Sequence, residues 1–166
     1  IMCGIAGSLR WEKPNRDEYK NLKKIISFLD HRGPNFSEVK KIDNVVFGHT
    51  RLAIIDLDKS ANQPMSDISG RFSIVYNGEI YNFKEIRKKL LSYGTVFKTD
   101  SDTEVILESY KIWDKKCLDF FEGMFAFAIW DKKSKKLFLA RDRLGEKPLF
   151  YYPYNGRNFN EGIIFS

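Results

Sequence analysis

Apolar residues recur at helical spacing in three segments of the chain. The first segment predicts an amphipathic helix over residues 17 to about 30, which follows a break at residues 14–17. A second helix is predicted to begin at Asn82 and to end at Gly94, because glycine favours the C-terminal cap of a helix. The capping box Ser101-x-x-Glu104 opens a third. The chain is therefore predicted to carry one helix near its start and two neighbouring helices in its middle.

Apolar runs of strand length occupy much of the remaining chain. Residues 124–130 are almost wholly apolar, as expected for a strand covered on both faces. The two apolar runs within residues 45–55 predict two strands or one interrupted strand. A strand over residues 71–76 is predicted to end in a tight turn at Asn77-Gly78, and residues 63–65 are predicted to lie in a loop. Further strands are predicted at residues 3–9, 137–140, 149–152 and 163–165.

The order of these elements favours one fold class. The strands come in hairpin-like groups with two helices between them, which indicates antiparallel sheets with helices on their outer faces. This is an α+β arrangement and not a parallel βαβ sheet. The 166 residues, of which 43% are hydrophobic and 14 are Phe, suffice for one domain with a packed core. No stop signal follows the last predicted strand, so the chain is expected to be cut there.

Composition argues against several classes of protein. The sequence has no apolar run of about 18 residues and no charged start followed by an apolar stretch, so neither a membrane span nor a signal peptide is predicted. Cys3 and Cys117 are too few for a disulfide framework, which favours a reduced, cytoplasmic setting. The net charge of +6 is spread over short basic clusters with acidic residues interleaved. Solvated faces are therefore expected, and not a stripe that binds nucleic acid.

Cys3 carries the first candidate chemistry, because it directly follows a methionine and precedes the small Gly4. Once Ile1 and Met2 are removed, its thiol and a free α-amine share one Cα, which makes a nucleophile with its own base. If Ile1 and Met2 stay, that amine is an amide and cannot act as a base. Ile1 is interpreted as a remnant ahead of the natural start. The alternative for Cys3 is a small, buried apolar residue in a strand.

Other residues could serve a thiol that attacks a carbonyl group. Asn77-Gly78 offers a side-chain amide beside a backbone N–H for a developing oxyanion, or else forms a plain hairpin turn. Arg51 is either a solvated strand end or an anchor for a carboxylate, which its planar fork suits. Asp102 is either a helix-start residue favoured by the helix dipole or a partner for an ammonium group. His31 and His49 could form a papain-like pair with the cysteine, although no orienting partner is evident.

The assembled motifs resemble the class II glutamine amidotransferase domain, as in the glutaminase half of glutamine-dependent asparagine synthetases. The resemblance covers nearly the whole chain and rests on eight segments in series. These segments are MCGIAG, HRGPN, HTRLAIIDL, QPM, NGEIYN, SDTEVIL, GMFAFAIWD and RDRLGEKPLFYY. The resemblance implies the N-terminal-nucleophile (Ntn) hydrolase fold, a four-layer α/β/β/α sandwich of two antiparallel sheets.

The resemblance also implies roles by position. Cys3 matches the nucleophile of the family, and Asn77 with the Gly78 N–H matches its oxyanion hole. Arg51 matches the residue that pairs with the α-carboxylate of glutamine, and Asp102 matches the one that binds the α-ammonium group. The other residues implied to line the substrate pocket are Leu52, Ala53, Ile54, Ile55 and Glu79.

The implied reaction is hydrolysis of the glutamine side-chain amide through a cysteine thioester, which gives glutamate and ammonia. In this family the ammonia passes to a C-terminal ATP-dependent synthetase domain of the same chain, so residues 1–166 are expected to be the glutaminase domain of a longer protein. No metal or cofactor is expected in residues 1–166, whereas ATP and Mg²⁺ are expected in the synthetase domain. Asparagine synthesis from aspartate is the favoured outcome. A homodimer stays open, and neither nucleic acid nor a membrane is an expected partner.

Three alternatives stay open. One is an amidotransferase of the same type that acts on another acceptor, such as a sugar acid. Another is a glutamine-binding form without turnover, if Cys3 stays unprocessed. A basic nucleic-acid-binding module is the third, and it predicts salt-sensitive binding to polynucleotides and no glutaminase activity. One departure from the family pattern is Asn35 in HRGPN, where Asp is common, and it is expected to be tolerated in a turn.

Overall fold

Two antiparallel β-sheets form the centre of the molecule. The computed structural model describes residues 3–12 and 16–166, so half of the predicted break at residues 14–17 lies outside the described residues. The interpretation of Ile1 and Met2 lies outside them altogether. The described residues form nine β-strands and three α-helices.

The first sheet surrounds the start of the chain. Its strands are β1 (Gly4–Arg10), β2 (Phe36–Ile42), β3 (Val45–Arg51), β8 (Tyr151–Pro153) and β9 (Gly162–Phe165). Their spatial order is β2-β3-β1-β9-β8, so β1 lies in the middle and Cys3 directly precedes a strand with a neighbour on both sides. β2 has no counterpart among the predicted strands, because Val39 alone of its residues is buried and the apolar signal is weak.

The second sheet leaves part of one strand edge uncovered. It contains β4 (Met65–Ser66), β5 (Phe72–Ile80), β6 (Gly123–Asp131) and β7 (Lys136–Arg141), in that spatial order. Because β4 has two residues and pairs with Ile74 and Ser73, the later part of that edge of β5 has no strand beside it. The Tyr76 N–H at this edge donates to Oε1 of Gln63 at 2.6 Å instead.

The main core lies between the two sheets, because side chains of alternate strand residues point to opposite faces. Its buried members are Ile5, Leu9, Val45, Phe47, Val75, Ala126, Ala128, Trp130 and Phe165. Phe47 and Phe165 meet edge to face, with ring centroids 5.8 Å apart. This contact joins β3 to the last strand, β9, across the central strand β1.

Helix α1 (Arg16–Phe28) covers the outer face of the first sheet. Its residues Leu22 and Ile26 pack against Ala6 and Val46. Gly48 permits this close approach, because a Cβ at that position would lie 2.4 Å from Cγ1 of Ile26. The predicted helix near the start of the chain is therefore confirmed.

Helices α2 (Phe83–Ser92) and α3 (Asp102–Trp113) cover the outer face of the second sheet. Val105, Ile106 and Leu107 of α3 are fully buried. The layers are therefore α/β/β/α, and the predicted sandwich of two antiparallel sheets is confirmed. None of the helices in the described ranges combines the length and apolar character that crossing a bilayer demands.

Of the two predicted helix N-caps, Ser101 forms a side-chain cap and Asn82 does not. Ser101 caps α3, because its Oγ accepts the Glu104 N–H at 3.3 Å. The Glu104 carboxylate does not complete the capping box, since it accepts the N–H groups of Lys98 and Thr99 instead. Asn82 precedes α2 but makes no side-chain cap, and its amide bonds to a neighbouring loop.

The predicted turn at Asn77-Gly78 is wrong, because β5 runs through both residues to Ile80. The two residues pair with Ala126 and Phe125 of β6. Glycine at position 78 serves close strand packing and not a turn. A Cβ there would lie 2.2 Å from the carbonyl oxygen of Met124.

The prediction for residues 45–55 is also wrong in its second half. The single strand β3 covers the first apolar run, and residues 52–55 form no strand. Their backbone N–H groups have other partners: Leu52 donates to Sγ of Cys3, and Ala53 donates to Oδ1 of Asn35. The second apolar run therefore forms the wall of a pocket.

Candidate active site

A pocket opens at the end of the sandwich where β1 begins and β3 ends. Its volume, including the open mouth, is about 600 Å³. The lining residues are Cys3, Arg51, Leu52, Ile54, Ile55, Asp56, Ala61, Gln63, Tyr76, Gly78, Glu79, Ser101, Asp102 and Thr103. Of the predicted site residues, all except Ala53 and Asn77 belong to this set.

The Cys3 thiol is half-buried in this pocket. Its Sγ accepts a hydrogen bond from the Leu52 N–H at 3.3 Å, and Nε of Arg32 donates to the Cys3 carbonyl oxygen at 3.2 Å. Burial raises the pKa of the thiol, and the Leu52 hydrogen bond and the charge of Arg51 oppose this rise without cancelling it. The sulfur therefore keeps its proton at neutral pH, and a reaction at this atom needs a base.

Arg51 is a buried cation that forms no ion pair with any described residue. It ends β3 and is only 8% exposed. Its Nη1 donates to the Asp58 carbonyl oxygen at 2.9 Å and to Oδ1 of Asn62 at 2.6 Å, and its Nη2 donates to the Asp56 carbonyl oxygen. A buried charge held by neutral oxygens is a favourable place for an anionic ligand, which supplies the missing counter-charge.

Asp102 begins α3 and is only 5% exposed. The Tyr76 hydroxyl at 2.7 Å and the Ile80 N–H at 3.1 Å both donate to its Oδ2. Burial raises the pKa of the carboxyl group and the negative charge of Glu79 adds to the rise, whereas these two hydrogen bonds and a third from the Thr103 N–H lower the pKa. The pocket therefore carries a carboxyl group as well as the guanidinium group of Arg51.

Strand geometry places a free backbone donor of Gly78 in the pocket. In an antiparallel strand the N–H groups of alternate residues point to opposite edges. The Tyr76 N–H donates to Gln63 and the Ile80 N–H donates to Asp102, so the even-numbered residues face the edge away from β6. Gly78 lies between them and lines the pocket, and no described side chain accepts a hydrogen bond from its N–H.

Asn77 lies beside Cys3 in a second, smaller cavity. This cavity has a volume of about 400 Å³, and both residues line it. The Asn77 side chain is buried, and its Oδ1 has no hydrogen-bond partner within the described part of the chain. Cys3 is thus shared by two cavities, with Gly78 in the first and Asn77 in the second.

Neither a Cys–His pair nor a metal centre is formed by the described residues. The Nε2–H of His49 donates to the Tyr76 carbonyl oxygen at 3.2 Å and so connects the two sheets. Burial lowers the pKa of His49 to about 3, which keeps the ring neutral. His31 is exposed, and neither histidine hydrogen-bonds to Cys3. The described His, Cys, Asp and Glu side chains form no group of three or more that could hold a metal ion.

Ala53 is the predicted pocket residue that takes a supporting position instead. Its N–H donates to Oδ1 of Asn35 at 3.0 Å, and it does not line the pocket. An aspartate at position 35 would offer the same acceptor oxygen. The structure thereby supplies a physical reason for the expected tolerance of Asn35.

Sequence reasoning missed five polar residues that line the pocket, namely Asp56, Gln63, Tyr76, Ser101 and Thr103. Gln63 accepts from the Tyr76 N–H and donates to Oγ1 of Thr103 at 3.2 Å. Gln63 lies in the QPM segment, and Tyr76 directly precedes Asn77. Those positions were the only available signal, because the contacts join parts of the chain that are distant in sequence.

Comparisons with known proteins agree on one family. A family model described as a glutamine amidotransferase domain matches residues 2–166. Asparagine synthetase (glutamine-hydrolysing) 3 of Bacillus subtilis is 44% identical over 152 residues, which cover 90% of this chain and 25% of the relative. Putative asparagine synthetase (glutamine-hydrolysing) 2 of Methanocaldococcus jannaschii is 40% identical over 176 residues, which cover 95% of this chain and 33% of the relative. The chain thus spans a quarter to a third of the length of these relatives.

A solved structure supports the architecture. Glutamine phosphoribosylpyrophosphate amidotransferase of Bacillus subtilis, in complex with ADP and GMP, matches with a TM-score of 0.70 over 97% of this chain and 41% of that chain. Its sequence identity is 21%, so this likeness establishes the fold alone. The match over residues 2–166 shows that the chain belongs to the glutamine amidotransferase domain family, and the two-sheet sandwich shows that it has the Ntn hydrolase fold.

Proposed function

We propose that this chain hydrolyses the side-chain amide of glutamine to glutamate and ammonia, with Cys3 as the nucleophile. The observation that carries the proposal is one pocket shared by the Cys3 thiol, the buried guanidinium group of Arg51 and the carboxyl group of Asp102. A free α-amino acid presents an anion and a cation on one carbon atom, and these two residues offer the opposite charges. Membership of the amidotransferase family adds the reaction class.

Arg51 and Asp102 would hold the amino-acid end of the substrate. Three N–H groups of Arg51 bond to Asp56, Asp58 and Asn62, so Nε–H and one Nη2–H are left for a carboxylate, which matches the planar fork. The ammonium group would bind the Asp102 carboxylate, with the negative Glu79 beside it in the pocket.

Because the pKa of the Cys3 thiol is raised, the thiol needs a base, and the α-amine of Cys3 would be that base. An α-amine has a pKa of about 7.7–8.0, so much of it is neutral near pH 7.5 and can accept the thiol proton. The amine does so only when Cys3 is the first residue. Sγ then attacks the carboxamide carbon, and the thiol proton passes through the amine to the departing nitrogen. The C–N bond breaks and ammonia leaves, after which water hydrolyses the γ-glutamyl thioester and restores the thiol.

The oxyanion that forms during the attack would be held from two sides. The Gly78 N–H is a free donor on the pocket side of Cys3, and the Asn77 amide lies beside Cys3 in the second cavity. Loss of one such donor typically costs about 2.7–4 kcal/mol of transition-state stabilisation. Both donors come from consecutive residues of β5, so pairing of β5 with β6 sets their spacing.

The names of the relatives suggest a use for the ammonia. Both relatives described above are named asparagine synthetases and extend well beyond this chain. We infer that the whole protein carries an ATP-dependent synthetase domain, with Mg²⁺, that converts aspartate to asparagine. Another acceptor, such as a sugar acid, would use the same glutaminase domain. Product analysis of the full-length protein with glutamine, ATP and each acceptor separates these two cases.

Replacement of Cys3 by alanine tests the glutaminase proposal. Protein that begins at Cys3 should release glutamate from glutamine, and Cys3→Ala should release none above background. Cys117→Ala is the matched control, because Cys117 is fully buried in the core under α3 and burial raises the pKa of its thiol to about 12. Unchanged glutamate release by Cys3→Ala would overturn the proposal. Glutamine binding without turnover in the unsubstituted protein would favour the non-catalytic alternative.

A further inference from the structure

A ring of hydrogen bonds joins β5 to the first turn of α3 at the pocket wall. The Tyr76 hydroxyl donates to Oδ2 of Asp102 at 2.7 Å, and the Tyr76 N–H donates to Oε1 of Gln63 at 2.6 Å. Nε2 of Gln63 donates to Oγ1 of Thr103 at 3.2 Å. The ring closes through the helix backbone, because Asp102 and Thr103 are consecutive. All four side chains are buried, and all four residues line the pocket.

The ring holds Oδ2 of Asp102 in place at the pocket wall. Oδ2 receives both the Tyr76 hydroxyl and the Ile80 N–H, which determines the orientation of the carboxylate plane. The Thr103 N–H also bonds to the carboxylate, but Tyr76 is the one described side chain that does so. Since Asp102 lines the pocket, a bound cation would meet this carboxylate from the pocket side.

The charges around Asp102 favour a cationic ligand. Glu79 on β5 raises the pKa of Asp102, and the negative charge of Asp102 raises the pKa of the Cys3 thiol. No Lys or Arg of the described ranges forms an ion pair with Asp102. Burial and the Asp102 charge raise the pKa of Tyr76 well above its ordinary value, so the hydroxyl stays protonated and always donates.

We propose that Tyr76 is a positioning residue that orients the Asp102 carboxylate toward the α-ammonium group of the substrate. The hydrogen bonds of Gln63 to Tyr76 and Thr103 stabilise this arrangement. This inference rests on the proposed glutaminase function and extends the selection for an α-amino acid from the charged anchors Arg51 and Asp102 to the neutral residues that hold Asp102 in place. Tyr76 has no access to the scissile amide in this scheme. It acts on the substrate through Asp102 alone.

Tyr76→Phe removes the hydroxyl and keeps the aromatic side chain, so it isolates the contribution of the hydrogen bond to Asp102. KM for glutamine should rise roughly tenfold or more, as expected for a hydrogen bond to a charged group, while kcat changes by less than about threefold. The decisive comparison uses 4-carbamoylbutanoate, which is glutamine without its α-ammonium group. The preference for glutamine over this analogue, as a ratio of kcat/KM values, should fall roughly tenfold. A purely structural role would lower both kcat/KM values by the same factor, and that result would overturn the proposal.

The pH profile gives a second readout. The Tyr76 hydrogen bond lowers the pKa of Asp102, so its loss raises that pKa further and Asp102 takes up a proton at higher pH. Below the pKa of the Cys3 amine, kcat/KM for glutamine should therefore fall more steeply with decreasing pH in Tyr76→Phe than in the unsubstituted protein, whereas the slope for the analogue should not change. A slope that changes equally for both substrates would contradict the proposal.

Tyr110→Phe is the matched control. Tyr110 is a buried tyrosine in α3, the helix that begins with Asp102. Its hydroxyl lies beside Asp114 at the opposite end of α3, and it does not line this pocket. Its replacement should change the free energy of unfolding without changing the preference for glutamine. If Tyr76→Phe fails to fold, Thr103→Val breaks the hydrogen bond to Gln63 and should lower the same preference by a smaller factor.

A binding measurement separates this inference from the proposed function. In a Cys3→Ala background, calorimetry should show glutamine binding that Tyr76→Phe weakens roughly tenfold. Binding that stays unchanged overturns the role of Tyr76 and leaves the glutaminase proposal standing. A protein that binds glutamine in this Tyr76-dependent way but never releases glutamate retains the inference and loses the proposed function.

Discussion

The backbone N–H of Leu52 donates a hydrogen bond to Sγ of Cys3 at 3.3 Å. Arg51, the proposed carboxylate anchor, directly precedes Leu52, so the anchor and the contact to the thiol are consecutive in the chain. Strand pairing fixes both, because Gly4 of β1 pairs with Thr50 of β3. The distance between the Cys3 thiol and Arg51 is therefore set by the register of a central strand pair.

Arg51→Lys should weaken glutamine binding. Lysine keeps the charge but loses the planar fork, so KM for glutamine should rise roughly 10- to 100-fold, with a smaller effect on kcat. Arg71→Lys is the control, because Arg71 bonds to both carboxylate oxygens of Asp131 outside the pocket. That variant should lose stability and keep its KM. Steady-state kinetics decide the matter, and equal KM values for Arg51→Lys and the unsubstituted protein would refute the assignment.

Asp102→Asn should separate binding from stability. Burial raises the pKa of Asp102 above its unfolded value, so ionisation of this group costs folding free energy as pH rises through the folded pKa. At neutral pH, loss of the charge should raise KM for glutamine about 100-fold or more. The free energy of unfolding should fall by less than about 1 kcal/mol or should rise.

Glu104→Gln should give the opposite pattern and serves as its control. The Glu104 carboxylate lies in the same turn of α3, accepts the N–H groups of Lys98 and Thr99, and does not line the pocket. Its replacement should lower the free energy of unfolding by about 1–3 kcal/mol and leave KM unchanged. Urea unfolding and kinetics measure both quantities. If Asp102→Asn lowered the free energy of unfolding strongly and left KM unchanged, that result would contradict a binding role for Asp102.

Elements with strong local signals were predictable from the sequence. The periodic helices α1 to α3 and the apolar strand β6 have the predicted type and nearly the predicted bounds. Gly78 shows why other elements were not. Asn-Gly is typical of tight turns, but here the glycine is required by the backbone of β6, a contact between residues far apart in sequence.

Gly78→Ala should therefore destabilise the fold strongly. The new Cβ would clash with the Met124 carbonyl oxygen, which neither strand can relieve without breaking the sheet, so we expect a loss of about 3 kcal/mol or more. Gly70→Ala is the control, because Gly70 has φ +68° with no atom within 4 Å of the new Cβ. That change should cost about 1–2 kcal/mol from backbone strain alone. Denaturant unfolding measures both, and equal losses would show that packing against β6 is not the cause.

The site was predictable only where a family motif marked a residue. Arg51 and Asp102 were proposed as charged anchors, and both line the pocket with Cys3. The bond between Tyr76 and Asp102 could not be predicted, since it depends on which face of β5 meets α3. Asn77 was placed in a turn, and its separate cavity follows from the uninterrupted strand.

The buried ring of His49 should make stability sensitive to acid. Its folded pKa is about 3 against an ordinary value of 6.5, so between these pH values the unfolded chain binds a proton that the folded chain does not. The contribution of the neutral His49 ring to the free energy of unfolding is complete above pH 6.5. It is lost as pH falls toward 3, at up to about 1.4 kcal/mol per pH unit. His49→Gln keeps a donor for the Tyr76 carbonyl oxygen and should flatten this dependence. Exposed His31→Gln is the control, and a slope that persists in His49→Gln would rule this origin out.

The proposed role of Cys3 is that of an N-terminal nucleophile with its own amine as base. The most direct measurement compares glutamate release by protein that begins at Cys3 with release by protein that retains Ile1 and Met2, each verified by intact mass. Removal of a general base typically costs about 10²–10⁴-fold in rate. Turnover should fall at least about 100-fold when Ile1 and Met2 are retained, while glutamine still binds. Equal turnover by the two proteins would contradict this role.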